Sequence, residues 1–265
     1  MNLFDSHCHL DDRSFRKDLK AVVQRANQDG LEMMMTVGID AATSRRAVEI
    51  AGEFKGVVAS VGIHPHRAAT CSHKMIDRLA DLADNTEVQA WGEIGLDFNR
   101  MVSPRDDQEK WFVKQLHRAD ELRLPLILHE RDSQGRLLEL LNANPNPLRQ
   151  GTVHCFSGNR KELLSYLDLG FYIGITGIVT MQQRGAELRK LVRYIPLDRL
   201  LIETDAPYLT PTPQKNLTRR NEPAFVKSVL LKLADVLHMD AAHLAKMTTG
   251  NAKRLFTPLN PYPCR

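Results

Sequence analysis

Histidines and acids in this chain occur in short clusters whose spacing suits metal-assisted hydrolysis. The run DSHCHL places His7 and His9 two residues apart. On an extended strand that spacing turns both imidazoles to one face and Cys8 to the other. Two neutral ring nitrogens on one face can share a borderline divalent cation. Alone, the pair reads better as two partly exposed histidines near the N-terminus. Further clusters change that reading: GIHPH at 62–66, GEIGLD at 92–97, HER at 129–131, HCFSG at 154–158 and ETDAP at 203–207. Each follows directly on a short apolar run. If those runs are strands of one sheet, Glu93, His129, His154 and Asp205 arrive at the same end as His7 and His9. Four histidines and two carboxylates exceed the needs of one tetrahedral ion. They suffice for two ions with Glu93 bridging them, at a separation of about 3.5–4 Å. Asp205 would complete the first position and take a proton from water, although Asp-Ala-Pro also suits a cap for the following turn.

The elements that must hold these groups can be read from the same sequence. Eight short apolar runs recur: Leu3–Asp5, Met33–Val37, Val57–Val61, Val88–Trp91, Leu126–Leu128, Gly151–Val153, Tyr172–Ile175 and Leu200–Ile202. Continuous apolarity marks strands covered on both faces, as in a parallel sheet. Between them lie amphipathic stretches, such as 105–122 with Trp111, Phe112, Leu116 and Ala119, and 184–193 with Leu188, Leu191 and Val192. Gly30 and Gly170 stand where helices should stop. Eight βα units predict a single (β/α)8 TIM-type barrel over 1–265, with a doubly wound sheet as the alternative. The Pro-rich stretch from Pro207 to Pro223 looks like a linker, but it follows the eighth strand and so becomes a loop over the barrel mouth. Residues 224–256 read as closing C-terminal helices. In a barrel, every cluster above falls at the C-terminal strand ends, where active sites form.

Composition fits this picture and excludes others. Of 265 residues, 43% are hydrophobic and 26% charged, which rules out a disordered, collagen-like or coiled-coil chain. Lys and Arg number 36 against 32 Asp and Glu, a net charge of +4 that permits an anionic substrate without arguing for one. Cys8, Cys71, Cys155 and Cys264 form no CxxC pair, so neither a zinc ribbon nor a disulfide framework is expected. With no apolar run of ~20 residues and no signal-like N-terminus, a cytoplasmic protein with no membrane partner is expected. A monomer is compatible with the pattern. Weaker signals remain. His64 and His66 flank Pro65 and could bind substrate or act as an acid. Arg131 shares the His129 face and could pair with a phosphate or with a nearby acid. Arg219, Arg220 and Asn221 lie in the mouth loop. Trp91, Phe98 and Phe156 read as core, and His73, His117, His238 and His243 as surface residues.

Taken together, the motifs resemble the TatD family of metal-dependent hydrolases. The resemblance runs through DSHCHLD (5–11), GIHPH (62–66), GEIGLDFNR (92–100), PLILHERD (125–132) and HCFSG (154–158). It continues through FYIGITGIVT (171–180), LLIETDAPYL (200–209), RRNEP (219–223) and GNAKRLF (250–256). It implies a two-metal barrel that hydrolyses phosphodiesters, typically as a deoxyribonuclease. His7, His9, Glu93, His129, His154 and Asp205 match that family's metal ligands; His64, Arg131 and Asn221 match positions lining its substrate pocket. Glu130 stands where the family often has a small residue, and its side chain should point away from the mouth. The expected activity is a DNA exonuclease, possible on RNA too, running 3′ to 5′ on single-stranded or frayed ends with Zn, Mn, Co, Ni or Mg. The alternatives are a carboxylic ester or amide hydrolase on the same metals, or a barrel whose metal is purely structural.

Overall fold

Residues 1–257 are described in a computed structural model; Cys264 lies outside them. Eight strands run in chain order: β1 (Leu3–Cys8), β2 (Leu31–Val37), β3 (Val57–Val61), β4 (Val88–Asp97), β5 (Leu126–Arg131), β6 (Gly151–His154), β7 (Tyr172–Ile175) and β8 (Leu200–Ile202). All neighbouring pairs are parallel, in the order β1 to β8. The ring closes between β8 and β1, where Ser6 Oγ donates to the Ile202 carbonyl at 3.1 Å. His9 N and Asp205 N extend the seam, donating to the Ala206 and His7 carbonyls at 2.7 and 2.8 Å. This is a (β/α)8 barrel, as the eight apolar runs require. Strands β1, β4 and β5 run past their apolar cores and carry candidate ligand residues within the ladder.

The helices are α1 (Leu19–Gln28), α2 (Ala41–Glu53), α3 (His73–Ala83), α4 (Arg105–Leu122), α5 (Arg136–Ala143), α6 (Arg160–Asp168), α7 (Ala186–Leu191), α8 (Val226–Leu237) and α9 (Ala241–Phe256). The sequence expectation of 105–122 matches α4 end to end. The stretch 184–193 is tighter: α7 is short and passes into a 3-10 turn at Val192–Tyr194. Local chemistry sets several starts. Asp40 and Thr43 form a capping box on α2, and Asn159 and Glu162 form another on α6. The segment 207–223 is a loop with 3-10 turns, as expected from its prolines.

Inside the barrel, Phe4, Met35, Val37, Ala90, Ile127 and Leu201 pack together, and α9 seals them with Leu255 and Phe256. Phe256 meets Phe4 with ring centroids 6.1 Å apart. Asn251 Nδ2 ties α9 to the Leu197 and Leu200 carbonyls at the foot of β8. The closing helix therefore plugs the N-terminal end. Strands β1 and β4 do not keep one alternation along their length. Phe4 faces the interior, yet Cys8, an even number of residues on, packs in the outer layer, while His7 faces the mouth. The register of β1 against β2 shifts between Asp5 and Cys8, and that of β4 against β5 between Trp91 and Ile94. Such irregularities re-aim side chains. Here they turn His7, His9 and Glu93 inward above a core set in the opposite phase.

Candidate metal centre

Four side chains from three strand ends build the first position. His7 Nε2 lies 3.3 Å from His9 Nε2, 3.6 Å from Glu93 Oε2 and 3.7 Å from Asp205 Oδ1. His9 Nε2 lies 4.0 Å from Glu93 Oε2 and 3.4 Å from Asp205 Oδ1. Ligand atoms ~2.0–2.1 Å from a tetrahedral ion sit roughly 3.3–3.4 Å from one another. The five edges above, at 3.3–4.0 Å, lie near that spacing, and His7 can share an ion with His9 and Glu93 or with His154 and Asp205, so imidazole and carboxylate donors here fit a divalent cation. Around Glu93 Oε1 a second group gathers: His129 Nδ1 at 2.6 Å, His64 Nε2 at 3.5 Å and His154 Nε2 at 3.6 Å. Glu93 thus offers one oxygen to each group, and His154 stacks on His7 at 3.6 Å between ring centroids. Gly95 sits in β4 between Glu93 and Asp97 at φ 147°, where a Cβ would collide with the His129 carbonyl oxygen. Only glycine lets β5 approach so closely there.

The outer ring nitrogens decide which imidazoles are ready to bind metal. His9 Nδ1 lies 3.1 Å from the Val37 carbonyl, so it donates there and keeps Nε2 for the mouth. His154 Nδ1 lies 2.9 Å from Glu203 Oε1, a charge contact off the hydrogen-bond direction, while its Nε2 faces Glu93. His64 is arranged the other way. Its Nδ1 accepts from His66 N at 3.0 Å, which leaves the proton on Nε2, facing Glu93. His64 is therefore a hydrogen-bond donor to the mouth rather than a ready ligand. Burial lowers its pKa to about 4, against the pull of Glu93, so it stays neutral. That favours the substrate-binding alternative over an acid.

Electrostatics mark the cluster as built for cations. Burial alone would lower His9 and His129, yet nearby carboxylates outweigh it and raise each to about 9: chiefly Asp205 for His9, and Asp97 and Glu93 for His129. Burial opposes ionisation of Glu93, but His64, His154 and His129 hold its carboxyl well below the usual range. Without metal, protons occupy the places where a cation would balance these carboxylates. Asp205 holds its position in a left-handed backbone conformation at φ 57°. Such strain is characteristic of functional sites.

The remaining expected residues divide. Arg131 shares the His129 face of β5 and is half-buried, and its guanidinium has no ion-pair partner among the described residues. Asn221 is different. It is fully buried; its Nδ2 donates to the Thr204 and Tyr208 carbonyls at 2.9 and 2.6 Å, and its Oδ1 accepts from Glu222 N at 2.9 Å. With its polar atoms spent on backbone, it staples the mouth loop instead of lining the pocket. Arg219 leaves its carbonyl to Thr210, and Arg220 pairs with Asp18 and Glu222. Glu130 turns away from the mouth to Ser133, with the Oγ bond at 2.5 Å. Trp91 and Phe156 are core, Phe98 lies under Arg105, and His73, His117, His238 and His243 are exposed.

Three residues escape the sequence reading. Asp97 takes His66 Nε2 at 2.7 Å and lies 3.5 Å from His129 Nε2, and its position two pairs of residues after Glu93 was the available signal. Glu203 is fully buried behind His154 and accepts from Cys155 N at 2.5 Å and Ser6 Oγ at 3.3 Å. Leu201 faces the interior, so Glu203, two residues on, should do so as well. Tyr208 stands at the rim, 5.9 Å from His9 between ring centroids.

Comparison with known proteins agrees with this architecture. The family described as TatD related DNase matches residues 4–257. A Salmonella typhimurium protein named 3'-5' ssDNA/RNA exonuclease TatD is 41% identical over 257 residues, covering 96% of this chain and 98% of its own length. A Rahnella sp. protein of the same name is 43% identical with the same coverage. Among solved structures, YJJV, a TatD homologue from Escherichia coli, superposes with a TM-score of 0.87 at 29% identity, covering 96% of this chain and 97% of its own. A TatD family hydrolase from Entamoeba histolytica gives 0.87 at 25% identity, covering 97% and 98%. Matched along almost its whole length, the chain belongs to the TatD related DNase family.

Proposed function

We propose that this chain is a metal-dependent phosphodiesterase, a 3′-to-5′ exonuclease on single-stranded or frayed DNA that also accepts RNA. The carrying observation is its 41% identity over 257 residues to a chain named 3'-5' ssDNA/RNA exonuclease, together with the convergent His, Glu and Asp cluster. Two divalent ions, Zn, Mn, Co, Ni or Mg, belong to the site: one with His7, His9, Glu93 and Asp205, the other with Glu93, His129 and His154. When bound they supply water activation and neutralise charge on the phosphoryl group. Asp205 accepts the proton of the attacking water. Arg131, free of any acid among the described residues, pairs with a non-bridging phosphate oxygen, where a bidentate contact is strongest. His64 donates from Nε2 to the substrate. Residues 1–265 act as one unit. No helix among the described residues is long and apolar enough to cross a membrane, and the reading needs none.

The test uses metal-reconstituted protein on end-labelled single-stranded DNA, duplex DNA, RNA and a carboxylic ester. Stepwise release of mononucleotides from the 3′ end is expected, fastest on single strands. Ester cleavage without any phosphodiester cleavage would overturn the reading in favour of the ester or amide hydrolase.

A further inference from the structure

An aromatic ring left in water beside a cluster of charged ligands needs a reason. Tyr208 is 54% exposed although it follows Asp205 by only three residues in the mouth loop. Its surroundings fix it firmly. Tyr208 N donates to the Asp205 carbonyl at 2.8 Å, and its own carbonyl accepts from Asn221 Nδ2 at 2.6 Å. The hydroxyl donates to Asp12 Oδ2 at 3.3 Å, and Asp12 is itself held by Ser14 N at 2.7 Å. One edge of the ring meets His9, with interplanar angle 67° and centroids 5.9 Å apart. Backbone and hydroxyl are thus tied down while much of the ring stays open. The other aromatics near the ligands, Trp91 and Phe156, are core. Tyr194, also exposed, is covered by the Arg160 guanidinium at 4.1 Å.

Resting on the reading just proposed, we infer that Tyr208 is the stacking platform for the nucleobase flanking the scissile phosphate. Such a platform suits a strand end. A base in a duplex is already stacked on both sides, whereas a terminal unpaired base offers an open face. Stacking on an aromatic ring is also indifferent to base identity and to the sugar, because every base has a π-face. A fixed ring spends little conformational entropy on ordering when the strand arrives. Its neighbour His9 is a candidate metal ligand, so one nucleotide can place its base on the ring and its phosphate at the centre.

The test compares wild type, Tyr208→Leu and Tyr208→Phe, all metal-loaded. One strand carries ordinary bases; a second ends in base-free deoxyribose spacers. KM is measured on both, and Kd on versions whose last linkages are phosphorothioates that resist cleavage. Tyr208→Leu should raise KM and Kd for the base-bearing strand by about 5-fold to 100-fold, with kcat changed less. On the base-free strand it should match wild type, and Tyr208→Phe should behave as wild type on both. Equal losses on the two strands, no loss on either, or a Phe variant as weak as Leu would overturn the inference. A base-dependent Kd in a protein that cuts no phosphodiester would refute the exonuclease reading and leave the platform standing.

Discussion

Replacing Glu203 separates the metal centre's positioning from its folding. Its carboxylate is wholly enclosed and meets His154 Nδ1 at 2.9 Å, Cys155 N at 2.5 Å and Ser6 Oγ at 3.3 Å. Glutamine has the same shape. Its oxygen can keep His154 and Cys155, while its amide group faces the serine hydroxyl. What Glu203→Gln removes is charge, and hydrogen bonds to charged groups exceed neutral ones by roughly 1 kcal/mol each. Metal-free stability should therefore fall by about 1–2 kcal/mol. Metal affinity should fall further, since losing the group that orients a ligating histidine typically costs about 10–100-fold. Glu203→Ala strands the Cys155 N–H as well, at about 1–3 kcal/mol, and leaves a cavity. Urea denaturation of chelated protein reads the first quantity and calorimetric titration with Mn²⁺ or Zn²⁺ the second. A glutamine variant that binds metal as tightly as wild type would refute the positioning role of Glu203.

Other outcomes follow from the same geometry. Glu93→Ala removes the oxygens common to both groups, so metal analysis should find most of the metal lost and hydrolysis nearly abolished. Asp205→Asn should keep part of the metal while turnover drops by about 100-fold or more, as for loss of a general base; an unchanged kcat would exclude it from proton transfer. In metal-free protein His9 and His129 are raised from 6.5 to about 9, so their stabilising protons are fully held below pH 6.5 and lost through 9. Asp5, pushed up by burial to about 8, acts with the same sign. Metal displaces the two histidine protons, so the rise in Tm on adding metal should grow from pH 6.5 to 9; a flat increment would contradict it. Asn221→Ala leaves two buried carbonyls and an N–H unpaired and should cost about 2–4 kcal/mol in thermal unfolding.

Much of the fold was legible because β/α alternation is written in apolar runs, and all eight lie within observed strands. The convergence of the candidate ligands was legible for a related reason: each polar cluster follows a run directly, so barrel topology alone brings the clusters together. Partners were harder to see. Sequence places Glu203 and Asp97 at strand ends but does not say that His154 and His129 face them, because those pairs join strands whose relative stagger is a three-dimensional property. Asn221 failed in the opposite direction. A polar residue in a mouth loop looks available to substrate, yet the loop's carbonyls had first claim on its amide. Tyr208 carried no signal of its own, because its exposure and its contact with His9 are properties of the folded mouth loop.

The register shifts around His7 and Glu93 have a broader consequence. Since β1 and β4 change phase between the sealed interior and the mouth, the alternation that fills the barrel floor does not dictate which residues reach the candidate metal centre. Volume changes at Phe4, Ala90 or Phe256 can be absorbed beneath the irregularities, and ligand changes above them need not disturb the floor. A mutational survey should find two weakly coupled tiers, with stability effects gathered around Phe256 and activity effects around Glu93. Variation in chemistry can then proceed on a foundation that stays fixed.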